Sequence, residues 1–208
     1  MKYVYEFIGT FFLIFTIGMT TLAPAGSGLL APLAIGSVLA VLVYAGGHIS
    51  GSHYNPAVSL AVYLRGRMVR EDLWIYWIVQ LAAAIFAAYL TIFFKGAPSP
   101  VTLDLDVVKA FIAEFLFTFA LCYVVLNVAT SRATAGNSYY GWAIGFTVLA
   151  GAYAVGDISG GAFNPAVGLG LLIMKVTYWS NIWIYFVANL LGGAAAAWVF
   201  KEAHPAEI

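Results

Sequence analysis

Two short segments carry the most distinctive chemistry in this sequence. Each begins with Asn-Pro-Ala, and the two copies are Asn55-Pro56-Ala57 and Asn164-Pro165-Ala166. Asparagine is among the best N-cap residues, and proline at the first helical position sacrifices no hydrogen bond, so both copies predict helix starts. The apolar stretches that follow, residues 56–64 and 165–174, hold only nine and ten residues. As helices they would be about 14–15 Å long and would cross only half of a bilayer core of roughly 30 Å.

The N-terminus of such a helix offers unpaired N–H groups and about half a positive charge. If the two helices enter from opposite faces and meet at the centre, the amides of Asn55 and Asn164 add further donors to an oxygen held between them. Cations are repelled from such a site. A water bound there accepts two hydrogen bonds and points its hydrogens away, which breaks a proton wire. The alternative is that Asn-Pro only caps two buried turns that line no pore.

The rest of the chain has the composition of a membrane protein. Of its 208 residues, 63% are hydrophobic and 9% charged, against about 25% charged in a soluble domain. Nine basic and nine acidic residues cancel, which leaves no basic field for nucleic acid. The single cysteine, Cys122, excludes an internal disulfide and a multi-cysteine metal site. Six apolar runs are long enough to span a bilayer: residues 2–22, 30–47, 72–94, 107–128, 139–155 and 178–200.

An internal repeat organises these elements. An offset of 109 positions places GHISGSHYNPAV on GDISGGAFNPAV and WIYWIVQLAAA on WIYFVANLLGG. Each half holds three spans and one short segment, and because three is odd the second half must be inverted in the membrane. We therefore predict an all-α membrane protein with six transmembrane helices and two re-entrant half-helices in an inverted 3+3 repeat. It forms a single channel domain over residues 1–208, with repeats at about 1–98 and 105–203.

Two carboxylates, Glu6 and Glu114, lie inside apolar spans at equivalent positions of the repeat. They could form a proton relay, or they could accept hydrogen bonds from the loops before the half-helices. The repeat favours loop support, because both halves need the same scaffold. His48 and His53 could bind a metal, but only His204 is left to complete such a site, so we predict neither metal nor cofactor. No nucleophile and base lie at matching depth, which argues against an enzyme.

These features resemble the aquaporin (major intrinsic protein) family over nearly the whole chain. The resemblance rests on both Asn-Pro-Ala boxes, the preceding HISGSH and DISGG stretches, and the Glu-Phe pair that opens the first and fourth spans. It implies six tilted helices around two half-helices, a single-file pore in each protomer, and a homotetramer in a lipid bilayer. By the same resemblance, His53 lines the inner vestibule.

The sequence departs from this family at the outer constriction. Aquaporins generally place an arginine after the second box, where this chain has Val167. Counting from the boxes, the other filter positions fall on Ile35, Ala152 and Gly161, so the constriction is expected to be apolar and wider than a water-only filter. The glycerol-facilitator pattern is also missing, since Gly168 and Tyr185-Phe186 replace its aspartate and proline.

We therefore expect a passive channel for water and small neutral solutes such as ammonia, hydrogen peroxide, urea or glycerol, with ions and protons excluded. A proton-coupled carrier and a closed-pore junction protein are the alternatives. With both termini in the cytoplasm, six basic residues lie on the inner side and three on the outer side, which supports this orientation for a multi-pass protein of the cell membrane. Aromatic residues near span ends are interpreted as interfacial belts: Trp74, Tyr76, Trp77, Tyr178, Trp179 and Trp183.

Overall fold

The computed structural model describes residues 1–24, 26–96 and 104–207. The predicted end of the first repeat, near residue 98, lies outside this part. The described chain contains eight α-helices and no strand: α1 (Lys2–Thr21), α2 (Ala31–Ser50), α3 (Pro56–Leu64), α4 (Arg70–Lys95), α5 (Val107–Ala129), α6 (Tyr140–Ser159), α7 (Pro165–Ile173) and α8 (Ile182–Ala203). Six are long and apolar enough to cross a membrane. The other two, α3 and α7, hold nine residues each and are the predicted half-helices.

The two repeats interlock through their half-helices. In the first repeat α1 packs on α2 and α4, and in the second α5 packs in the same way on α6 and α8. The repeats meet where α2 packs on α6, while α3 lies against α8 and α7 against α4. Each half-helix thus contacts the last long helix of the other repeat, so the centre of the molecule is built from both halves.

Hydrogen bonds identify which helix ends share a face. The Lys2 ammonium donates to Asp72 at the start of α4, and Arg65 after α3 donates to Thr130 after α5 and to Glu207 after α8. We call this side, with Lys2, Arg65 and Glu207, the terminal face. On the other side, which we call the opposite face, the Lys95 ammonium donates to the carbonyl of Leu22.

Three long helices end later than their hydropathy predicts: α8 reaches Ala203 rather than residue 200, and α2 and α6 show the same difference. The apolar runs end at residues 47 and 155, whereas α2 continues to Ser50 and α6 to Ser159. His48 and Asp157 lower the hydropathy there but do not interrupt the backbone hydrogen bonds. Helices α2 and α6 each end instead at a left-handed glycine, Gly51 with φ of 84° and Gly160 with φ of 89°, the residue that most easily adopts this conformation.

The contact between the repeats depends on two glycines, one in each central helix. A Cβ placed on Gly36 of α2 would lie 2.8 Å from the carbonyl oxygen of Gly145 in α6. A Cβ on Gly145 would in turn collide with the carbonyl oxygen of Gly36 and lie 2.9 Å from the nitrogen of Ala40. The two backbones therefore touch directly, which is the close packing that small residues permit between membrane helices.

Candidate pore

Both half-helices begin at the predicted residues. The Asn55 side-chain oxygen accepts a hydrogen bond from the Ala57 N–H at 2.8 Å, and the Asn164 oxygen accepts one from Ala166 at 2.9 Å. The proline that follows each asparagine occupies the first helical position. Each asparagine is thus an N-cap that satisfies one of the unpaired donors of its helix.

The amide nitrogens of the same asparagines join the two repeats. Asn55 Nδ2 donates to the carbonyl of Phe163 at 2.8 Å, and Asn164 Nδ2 donates to the carbonyl of Tyr54 at 2.9 Å. Each amide nitrogen carries two hydrogens, so one remains after this bond. Both asparagines line a cavity, and the second hydrogen is available to a molecule there.

This cavity, the opposite-face cavity, has a volume of about 470 Å³ and runs from the two asparagines toward the opposite face. All four positions assigned to the filter line it: Ile35, Ala152, Gly161 and Val167. Its walls are largely aliphatic, and among the described lining residues none is Lys or Arg and Asp157 is the one carboxylate. The arrangement is an apolar passage with a polar stripe at its centre.

A second cavity, the terminal-face cavity, has a volume of about 690 Å³, and its lining combines aliphatic residues with polar and charged ones. Three residues line both cavities, namely His53, Val125 and Ile144, so the two spaces meet there. His53 is 9% exposed, and its Nδ1 lies 3.1 Å from the Ser59 hydroxyl. The predicted vestibule histidine is therefore at the junction of the two cavities.

The remaining predicted residues, apart from the asparagines, the filter positions and His53, are buried away from both cavities. Pro56, Ala57, Pro165 and Ala166 are buried and line neither cavity in the part of the chain that is described. The same holds for Glu6 and Glu114, whose side chains are 0% exposed. The described residues also contain no group of three His, Cys, Asp or Glu that could hold a metal ion.

Each buried glutamate accepts three matching hydrogen bonds. One donor is the hydroxyl of the serine that ends the preceding helix, and the other two are consecutive backbone N–H groups of the loop before the half-helix. For Glu6 these are Ser50 at 2.8 Å, His53 at 2.9 Å and Tyr54 at 2.7 Å. For Glu114 they are Ser159 at 2.7 Å, Ala162 at 2.9 Å and Phe163 at 2.7 Å.

The last donor in each set has a strained backbone. Tyr54 has φ of 49° and Phe163 φ of 47°, in the left-handed region that costs a residue with a Cβ roughly 1–2 kcal/mol. This conformation turns each N–H toward its glutamate, while the carbonyl of the same residue accepts the asparagine of the other repeat. The carboxylate therefore helps to hold the bend that presents each asparagine to the cavity.

Sequence reasoning missed two tyrosines that complete this scaffold. Tyr76 donates its hydroxyl to the Ser50 carbonyl at 2.7 Å, and Tyr185 donates to the Ser159 carbonyl at 2.6 Å. The interpretation of Tyr76 as an interfacial belt residue is wrong, because its side chain is 2% exposed. The repeat held the missing signal, since its offset of 109 places Tyr76 on Tyr185 and Ser50 on Ser159.

Comparison with known proteins agrees with this geometry. Residues 1–200 match the family model described as major intrinsic protein. The chain is 34% identical to aquaporin NIP1-4 of Oryza sativa subsp. japonica, over 94% of this chain and 74% of that protein. It is 36% identical to nodulin-26 of Glycine max, over 96% of this chain and 76% of that protein.

The fold is shared with the X-ray structure of the aquaglyceroporin from Plasmodium falciparum, at a TM-score of 0.82 and 20% identity, over 99% of this chain and 97% of that one. A chain described as an FNT family ion channel aligns with a TM-score of 0.56 and 18% identity, over 96% of this chain and 84% of that one. Family, half-helices and cavities together establish that this chain is a multi-pass transmembrane channel of the major intrinsic protein family.

Proposed function

We propose that this chain conducts water and small neutral solutes passively through the two joined cavities and excludes ions and protons. The observation that carries this proposal is the meeting of the two half-helix starts at one wall of the passage. Two asparagine amides offer hydrogens there, beside the positive ends of two helices. A solute oxygen accepts from them, whereas a cation is repelled by the positive partial charges of the amides and the two helix starts.

The apolar filter supports a broad choice of neutral solutes. Val167, Ile35 and Ala152 present methyl groups and no charge at the positions where we place the constriction. Removing the hydration shell of an ion in such surroundings costs several kcal/mol at least. A neutral molecule loses far less, so size and hydrogen bonding are expected to select among water, ammonia, hydrogen peroxide, urea and glycerol.

We expect protein-loaded liposomes to shrink faster than empty ones under an impermeant osmolyte, because water leaves through the channel. With urea or glycerol as the osmolyte, the shrinkage should be followed by faster reswelling as the solute enters. Stopped-flow light scattering measures both phases. Permeabilities equal to those of empty liposomes for water and for every one of these solutes would refute the proposed function.

Replacing Val167 by arginine should restore a positive donor to the constriction and narrow it. Uptake of urea and glycerol should fall severalfold more than water permeability, since the larger solutes fill more of the filter. A Leu171→Met channel, altered in another lining residue of the same cavity, is the control and should keep the solute-to-water ratio. An equal loss of water and solute flux in Val167→Arg would place Val167 outside the constriction.

The enclosed positions of Glu6 and Glu114 favour a passive channel over a proton-coupled carrier. Both carboxylates are occupied by loop donors and line neither cavity among the described residues. A flux that depends on a pH gradient and disappears in Glu6→Gln would favour the carrier instead. A junction protein with a closed pore would bring membranes together without raising their osmotic permeability.

The assembly and orientation are part of the same proposal. The family resemblance supports a homotetramer, and the excess of basic residues at the terminal face supports a cytoplasmic location for that face in the cell membrane. Mass measurement of the detergent-solubilised protein tests the first statement. Labelling of an introduced cysteine after Arg67, in intact and permeabilised cells, tests the second.

A further inference from the structure

In the described part of the chain, more arginine than carboxylate side chains line the terminal-face cavity. Its described lining includes two arginines, Arg67 and Arg132, and one carboxylate, Asp72. Asp72 already accepts from the Lys2 ammonium at 2.6 Å and the Tyr3 hydroxyl at 2.7 Å. Among the described residues, the side chains of Arg67 and Arg132 have no ion-pair partner. Two guanidinium groups that form no ion pair within the described chain therefore border this cavity at one mouth of the channel.

Both arginines line the same cavity and lie in the neighbourhood of a third, Arg65. Both are close enough to Arg65 to repel its guanidinium. Arg65 itself is 2% exposed and fully engaged, because it donates to Thr130 and to both the carbonyl and the carboxylate of Glu207, the last at 2.7 Å. Its charge is compensated by Glu207, whereas Arg67 and Arg132 form no ion pair with any residue that the structure describes.

The backbone of each free arginine is fixed. The Arg67 N–H donates to the Val62 carbonyl at 3.0 Å, in the turn that ends α3. The Arg132 N–H donates to the Glu207 carboxylate at 3.1 Å, and the same carboxylate accepts from Ser131 at 2.9 Å. Glu207 therefore holds the loop that carries Arg132 at the wall of the cavity. These bonds fix the backbone from which each exposed arginine side chain extends at the cavity.

The Glu207 carboxylate is charged at neutral pH. Burial alone would raise its pKa, but the hydrogen bonds from Ser131 and Arg132 and the nearby charge of Arg65 hold that pKa below its usual range. The loop attachment is thus present near neutrality. It weakens only when the pH falls through this lowered pKa and the carboxylate takes up a proton.

We propose that the terminal-face cavity binds a phosphate-bearing anion between Arg67 and Arg132, and that the bound anion obstructs this mouth of the channel. Phosphate oxygens match the planar donor fork of arginine, and two guanidinium groups match a dianion. A volume of about 690 Å³ accommodates a small phosphate ester. The group could belong to a free metabolite or to a lipid headgroup. Obstruction rests on the proposed channel function, whereas binding does not.

Binding is tested by calorimetry, in which the detergent-solubilised protein is titrated with inorganic phosphate. A titration with chloride at the same ionic strength is the reference. We expect wild type to bind phosphate and the double variant Arg67→Gln/Arg132→Gln to bind about tenfold or more weakly, because it lacks both charged donors. The matched control is Arg70→Gln, an exposed arginine on the same face that does not line the cavity. Arg67→Lys/Arg132→Lys keeps the charge and should retain part of the affinity.

Stopped-flow shrinkage tests obstruction. In phosphatidylcholine vesicles with phosphate on both sides at its Kd, water permeability through wild type should fall about twofold, as half the sites fill. Vesicles that contain phosphatidic acid but no free phosphate test the lipid source. A lower water permeability in wild type but not in the double variant supports the site. If it occurs with free phosphate the source is a soluble anion, and if it occurs with phosphatidic acid the source is a lipid headgroup.

Three results would overturn the proposal. They are undetectable phosphate binding by wild type, equal binding by wild type and the double variant, and an equal loss in Arg70→Gln. Unchanged water flux in both vesicle arms would overturn obstruction. Wild-type vesicles that show no water flux in chloride would instead contradict the proposed channel function, and the calorimetric test of the site would stand.

Discussion

Glu114→Leu is expected to abolish the folded protein. The substitution leaves the Ser159 hydroxyl and the N–H groups of Ala162 and Phe163 buried without their acceptor. Each such group costs about 1–3 kcal/mol, and the left-handed backbone at Phe163 loses the bond that helps to hold it. The sum is comparable with the whole stability of an ordinary domain. The fraction of monodisperse protein in detergent and its thermal midpoint measure the effect.

The repeat supplies an internal check on this expectation. Glu6→Leu removes the acceptor of three matching donors and should be as damaging. Glu71→Leu changes an exposed glutamate at the start of α4 and should behave as wild type. Monodisperse Glu114→Leu protein with the thermal midpoint of Glu71→Leu would show that the carboxylate does not support the half-helix.

Gly145→Val is expected to separate the two repeats where α2 and α6 cross. The new side chain would collide with the carbonyl oxygen of Gly36 and the Cβ of Ala40. The end of a flexible side chain could move away from the new valine, but a backbone carbonyl within a helix cannot. Overpacking of this kind costs about 1–3 kcal/mol and sometimes more, and it acts at the main contact between the halves. We expect a lower thermal midpoint and less monodisperse protein.

Gly156→Val is the matched control in the same helix. A Cβ at Gly156 would have no atom within 4 Å, so the same substitution adds volume without a collision. Its thermal midpoint should stay near that of wild type, although flux through its channel is a separate matter because Gly156 lines the opposite-face cavity. Equal midpoints for the two variants would mean that α2 and α6 can move apart at little cost.

Most structural features that occur once in each repeat could be predicted from the sequence. Asn55-Pro56 and Asn164-Pro165 predicted both half-helix starts, because N-capping and the missing proline N–H are local properties. Hydropathy predicted the six long helices but placed three C-terminal ends three or four residues short. A polar residue lowers hydropathy wherever it occurs, whereas a helix ends where its backbone bonds stop.

What could not be predicted depends on contacts between distant residues. Nothing local to Arg65 indicates that it binds Glu207, 142 residues away. Likewise, the deep burial of Tyr76 follows from its bond to the Ser50 carbonyl, while an aromatic residue near a span end is equally typical of an interfacial belt. Only the repeat, read residue by residue, could have distinguished these alternatives.

The exchange of hydrogen bonds between Asn55 and Phe163, and between Asn164 and Tyr54, has a consequence for biosynthesis. When the ribosome has produced only the first repeat, the amide of Asn55 and the carbonyl of Tyr54 do not yet have their partners in the second. α3 also lacks α8, on which it packs. The first repeat can therefore enter the membrane early, but its re-entrant segment reaches its final place only after the last helix has been inserted. We therefore expect a nascent chain stalled before residue 164 to expose α3 to proteases, because the partners of Asn55 and Tyr54 are then missing.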